Sequence, residues 1–152
     1  MIDVNNESGM EVDEVALIAL SRYALDLLRI HPLADLSVLL VDEETMTEKH
    51  ERFMDLPGPT DVMSFPDEPR SVGDDTEMVL GRLGDIAICP QVTSRQAAEN
   101  GRDQQGEIEY LLIHGLLHLL GHDHAEPEEK AVMFNLNDRI IAGWELTRSA
   151  AN

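Results

Sequence analysis

Residues 2–5, Ile-Asp-Val-Asn, alternate apolar and polar side chains, the period of a short edge strand. After a turn around Gly9 the period changes. From Val12 to Arg29 the apolar residues Val15, Ala16, Ala19, Leu20, Tyr23, Ala24, Leu27 and Leu28 recur on one helical face. Acids stand before this run and Arg29 ends it, as the helix dipole favours. His31-Pro32 stops the helix, and Leu36 to Val41 reads as a strand. Asp42 is placed to cap a second helix reaching about Phe53, with Glu43 and Glu44 in its first turn. Leu56-Pro57-Gly58-Pro59 forms a rigid turn before a short strand at Asp61 to Phe65, and the acid-rich stretch 66–77 reads as a solvated loop. The β-branched run from Gly84 to Cys89 predicts a strand, and Pro90 opens a helix that closes at Asn100-Gly101. A further helix is expected from about Gln104 to Leu120, ended by Gly121, and a last one from Glu126-Pro127 to Gly143. Strands and helices interleave without a regular βαβ rhythm. The predicted class is therefore α+β, a small mixed sheet packed with about five helices around the helix that starts near Gln104.

Composition narrows this picture. The chain has 152 residues, 43% hydrophobic and 27% charged, with no repeat and no linker-like tract, so 1–152 reads as a single domain. Eleven basic residues against thirty acidic ones give a net charge of −19. Such a chain repels a polyanion at long range, so a generic duplex-coating protein is excluded and any nucleic-acid contact must be local. Cations, metals and basic proteins are the easier partners. Cys89 is the single cysteine, which excludes a disulfide framework and an all-cysteine zinc site and agrees with a reducing compartment. The N-terminus has no basic signal region and no apolar run nears the ~18 residues of a membrane span, so the expected location is cytoplasmic.

Four of the six histidines fall within His114-Gly-Leu-Leu-His118-Leu-Leu-Gly121-His122-Asp123-His124. On a helix His114 and His118 are one turn apart, about 5–6 Å at Cβ, which a single metal ion can bridge. They flank the apolar stripe Leu111, Leu112, Gly115, Leu116 and Leu119. Gly121 stands where a left-handed helix end would reverse the chain and return His124 to the first two. Core or surface histidines with satisfied hydrogen bonds are the plainer reading of an i, i+4 pair; the glycine and the third histidine together favour a metal site. Three neutral nitrogens leave one tetrahedral position open, the catalytic arrangement of zinc. His122 would compete with His124 only if the helix continued, and is read as a neighbour of the site. Asp123 could orient a ligand imidazole or simply be solvated. Position 115 is Gly, where HExxH peptidases carry a Glu base, so peptidase chemistry lacks its proton carrier.

The histidine segment resembles the H-G-x-L-H-L-x-G-Y-D-H signature of the YbeY family of bacterial rRNA-maturation endoribonucleases. Pro59-Thr-Asp61-Val-Met-Ser-Phe65-Pro66 is similar to that family's P-T-[DN]-V-L-S-F-P segment, and Leu83-Gly-Asp85-Ile-Ala-Ile-Cys89-Pro90 to its L-G-D-I-x-I-[CS] strand. The resemblance implies an α+β fold and one zinc ion on His114, His118 and His124. It also implies a single-strand endoribonuclease that processes the 3′ end of small-subunit rRNA and supports ribosome quality control. Docking would run through a basic ribosomal protein and an assembly GTPase. Two positions depart: the signature Tyr is His122, and the Arg that precedes the P-T segment aligns without gaps on Met54. Arg52 is the nearest substitute, either binding a phosphate in the catalytic site or covering apolar surface with its stem. Asp85 is a possible proton carrier or a backbone-bonding strand residue. A zinc-stabilised assembly factor with weak or no catalysis, and a metallopeptidase without its Glu, are the alternatives.

Overall fold

The computed structural model of the chain describes residues 1–72 and 81–150, so the end of the acidic loop predicted at 66–77 lies outside the described residues. Among the described residues five helices and four strands follow in the order β1 (Ile2–Asn6), α1 (Glu14–Leu27), β2 (Ala34–Leu40), α2 (Glu43–Met54), β3 (Val62–Pro66), β4 (Gly81–Ile88), α3 (Pro90–Asn100), α4 (Gln104–Leu119) and α5 (Pro127–Ala150). Three helix starts, those of α1, α2 and α4, are fixed by side chains. Asp13, Asp42 and Asp103 each accept a hydrogen bond from the backbone N–H three residues on, at 3.0, 2.8 and 2.6 Å. The bond to Thr45 holds the Asp42 carboxyl below its ordinary pKa.

The sheet order is β1-β2-β4-β3, with β1, β2 and β4 parallel and β3 antiparallel at the edge beside β4. This is the mixed sheet of an α+β domain, and α1 supplies the crossover that two parallel neighbours require. Alternation in β2 sends Ala34, Leu36, Val38 and Leu40 to one face, where they meet Leu17 and Leu20 of α1 and Ile108, Leu112 and Leu116 of α4 in the main core. On the opposite side Met46 of α2 packs with Met63, Ala87 and Cys89 in a smaller core. Burial pushes the Cys89 thiol pKa up, so it stays a packing residue.

Helix α4 is the centre of the molecule, packed against β3 and β4 and against α1, α3 and α5. Its Ile108, Leu112, Leu116 and Leu119 are fully buried, and each contributes roughly 1.5–3 kcal/mol of transfer free energy. That anchorage fixes where the flanking histidines stand. Two boundaries differ from the sequence reading by three residues or more. Strand β4 begins at Gly81 rather than Gly84, because a bulge at the Asp35/Leu36 register lets β2 pair with Arg82 and then with Gly84. Helix α5 does not stop at Gly143: a Cβ there would lie 2.3 Å from the Tyr23 hydroxyl, so the glycine is a notch for α1 and the helix runs on to Ala150. No helix among the described residues is long and apolar enough to cross a membrane.

Candidate metal centre

Helical pitch sets the first two imidazoles side by side. His114 and His118 are half-buried on α4, their ring centroids 4.6 Å apart and their planes nearly perpendicular. The Nε2 atoms face each other at 3.1 Å. His118 Nδ1 lies 2.9 Å from the His122 carbonyl oxygen, which can only accept, so Nδ1 carries the proton. In the neutral ring that leaves the Nε2 lone pair pointing at His114, the tautomer a metal ligand needs.

Beyond Leu119 the chain reverses. The His122 N–H bonds the Leu117 carbonyl and the Gly121 N–H the His118 carbonyl, both at 3.0 Å, the paired bonds of a Schellman ending. Gly121 has φ +97°, and a Cβ on it would lie 2.4 Å from the Arg70 carbonyl oxygen, so conformation and space both demand glycine. The reversal returns His124, whose ring centroid stands 5.5 Å from His114 and 5.1 Å from His118. Asp123 accepts the His124 backbone N–H at 2.7 Å, so it orients the main chain of His124.

One ligand atom from each of His114, His118 and His124 lies within 4.8 Å of the others. Nitrogens bound tetrahedrally to zinc at 2.0–2.1 Å stand ~3.3 Å apart, so the 3.1 Å pair is close to ready spacing. Electrostatics agrees with this. Burial, reinforced by His118 and His124 and opposed by Asp61, lowers the His114 pKa to about 4. Burial also lowers that of His118, so the pair is neutral near pH 7 with lone pairs available. The three residues fit a divalent ion that prefers imidazole nitrogen.

Beside the histidines opens a cleft of about 600 Å³, walled by His50, Phe53, Met54, Thr60, Ser64, Phe65 and His118, among others. The family model described as Endoribonuclease YbeY matches residues 3–145. The chain belongs to the YbeY family. It is 66% identical over 146 residues to the Endoribonuclease YbeY of Cutibacterium acnes, covering 95% of this chain and 94% of that one. Identity to the Thermobifida fusca and Streptomyces coelicolor proteins of the same name is 57% and 55%, each over 94% of this chain and 93% and 89% of theirs. The solution structure of TM1509 from Thermotoga maritima superposes with a TM-score of 0.65 at 27% identity, over 99% of this chain and 93% of that one. Membership makes the chain an endonuclease of the hydrolase class.

The remaining residues read from the sequence fall as follows in this YbeY chain. Arg52, in the last turn of α2, is exposed and lies over the Phe53 ring at 5.4 Å, one residue from the cleft wall that Phe53 and Met54 form. Asp85 is held by Arg82 at 2.7 Å. His122 stays outside the cluster but supplies the carbonyl that fixes His118. Gly115 lies against the sheet, where a Cβ would meet the Ile86 side chain at 2.9 Å and Ser64 Oγ at 3.1 Å. A Glu there has no room, which removes the peptidase base on steric grounds as well as by sequence. Two residues escaped the sequence reading: Asp61, close enough to act on His114, and His50, whose Nδ1 meets the Gly58 carbonyl at 2.8 Å while the ring lines the cleft. Asp61 could have been suspected from its place in the P-T-D segment; nothing in the sequence pointed to His50.

Proposed function

We propose that the chain is a zinc-dependent endoribonuclease that cuts single-stranded RNA, with His114, His118 and His124 as the metal ligands. The observation that carries this is the convergence of three imidazoles beside a cleft that His118 lines, in a member of an endoribonuclease family. When bound, zinc supplies Lewis acidity toward a phosphoryl oxygen. The chain's own part is to hold the ion on one side of the cleft and to place the phosphate. Arg52 is the residue assigned to the phosphate, because its guanidinium can pair with two phosphoryl oxygens as charge builds on them. The RNA acted on is the 3′ end of small-subunit rRNA in the cytoplasm, in maturation and quality control. A basic ribosomal protein and an assembly GTPase are the docking partners, in keeping with the −19 net charge.

Purified wild type is expected to carry about one zinc per chain and to cleave single-stranded RNA, with both properties lost in His118→Ala and on chelation. Equal cleavage by His118→Ala, after nuclease-free controls, ends the proposal. Product ends assign the nucleophile: a 2′,3′-cyclic phosphate means attack by the ribose hydroxyl, and a 5′-phosphate means attack by water. The acidic surface favours one second reading, a zinc-stabilised assembly factor that docks on the pre-ribosome with little catalysis. Survival of particle binding and of growth after loss of the ligands selects that reading.

A further inference from the structure

The chain has three phenylalanines, and all three surround the histidines. Phe53 and Phe65 wall the cleft beside His118, their centroids 5.2 Å apart at an edge-to-face angle of 72°. Phe134, on α5, stands 6.1 Å from both His114 and His124. Phe65 and Phe134 also close parts of the two cores. Packing does not account for Phe53, which is 55% exposed beside Met54 at 57%.

Each ring has a cation over its face: Lys49 at 5.9 Å from Phe65, Arg52 at 5.4 Å from Phe53 and Lys130 at 5.5 Å from Phe134. Lys49 and Lys130 are the only two lysines of the chain. Arg22, Arg82, Arg95, Arg102 and Arg148 are each paired with a carboxylate. Lys49, Arg52 and Lys130 make no ion pair among the described residues. In a chain with thirty acids, three such cations gathered round one site are a local exception to the overall charge. Their distances sit at the loose end of the ~6 Å range for a cation on an aromatic face, so a ring can be yielded to a flat ligand while the cation moves to an adjacent anion. Flat apolar faces alternating with anions describe an unpaired strand of nucleic acid.

We infer that Phe53 and Phe65, beside His118, and Phe134, beside His114 and His124, stack the bases of single-stranded RNA while Lys49, Arg52 and Lys130 take its phosphates. This rests on the RNA-cleaving reading above and adds what that reading lacks, a reason for single-strand preference. In a duplex both faces of every base are covered by neighbours, so the rings have nothing to stack on. Base identity matters little, since every base offers such a face.

The test is an anisotropy titration of the full-length, zinc-loaded protein with a short labelled single-stranded RNA, read on ice before cleavage sets in, with the RNA checked intact on a gel afterwards. Phe53→Ala, exposed and therefore safe for folding, weakens binding about 5- to 150-fold. Phe134→Leu, which keeps the volume and drops the π face, weakens it in the same direction, and Phe53→Trp preserves it. Lys49→Gln lowers the slope of log affinity against log salt by about 0.7. Binding of the annealed duplex does not respond to Phe53. Wild-type affinity in both Phe53→Ala and Phe134→Leu overturns this inference and leaves the nuclease proposal standing. Phe53-dependent binding with no cleavage by the wild type keeps the inference and sinks the nuclease proposal. No single-strand binding by the wild type overturns both.

Discussion

Gly121→Ala tests whether the bend after α4 builds the metal centre or merely follows it. The substitution adds one methyl group at φ +97°, with the Arg70 carbonyl oxygen 2.4 Å and the Ser71 Cα 2.8 Å from the new atom. These are backbone atoms and cannot rotate away as a side chain would. Gly101 supplies the control, since it also has positive φ, +67°, but nothing lies within 4 Å of its absent Cβ. Gly101→Ala therefore costs only the left-handed conformation, about 1–2 kcal/mol. Gly121→Ala adds the overpacking of the 70–71 segment, about 1–3 kcal/mol more, for a total of about 2–5 kcal/mol. The site should feel the same displacement. If the turn opens, the His122 carbonyl leaves His118 Nδ1 and His124 moves off the cluster. Loss of such a supporting hydrogen bond weakens metal affinity by about 10–100-fold. Urea unfolding of the two metal-free variants gives the stability difference, and competition with a chromophoric chelator gives the affinity. Equal destabilisation by the two substitutions, with zinc held at wild-type affinity by Gly121→Ala, refutes the reasoning.

Acid should loosen the metal-free protein through His114, whose pKa falls from 6.5 to about 4 on folding. Between those values the unfolded chain binds more protons, so stability is full above about pH 6.5 and declines as pH falls toward 4; a His114→Asn variant with an identical pH profile of urea midpoints contradicts this. Arg148→Ala strips Glu109, whose side chain is 2% exposed, of its 2.7 Å partner and leaves it Gln105 at 3.1 Å. The expected cost is about 1–3 kcal/mol, less than for a fully buried pair because Arg148 is 38% exposed. Partial recovery on adding Glu109→Gln, read by thermal unfolding, checks it.

The helix that carries the histidine cluster was legible because its pattern is local. The i, i+4 histidines, the apolar stripe between them and the glycine that ends the helix all lie within one stretch of chain. Asp42 as a cap was legible for the same reason. Long-range causes were not. Gly143 carries the local sign of a helix end, yet its role is set by Tyr23 on another helix. The parallel pairing of β1 with β2 depends on a partner more than thirty residues away. Asp123 shows the limit within the site, for sequence places an acid beside a ligand without saying whether it meets the ring or the backbone; it meets the backbone. The gathering of three phenylalanines from α2, β3 and α5 is a property of the folded chain and has no counterpart in sequence spacing.

The three imidazoles are not equally free to adjust. Two ride on a helix whose inner side is locked into the core, and the third stands on the exposed residue His124 past the turn. An ion held at the proposed site would therefore be accommodated from one side only. A larger divalent ion bound there would shift the backbone around residues 122–124 while α4 stays in place, so discrimination among metals would reside in how far that short tether can stretch.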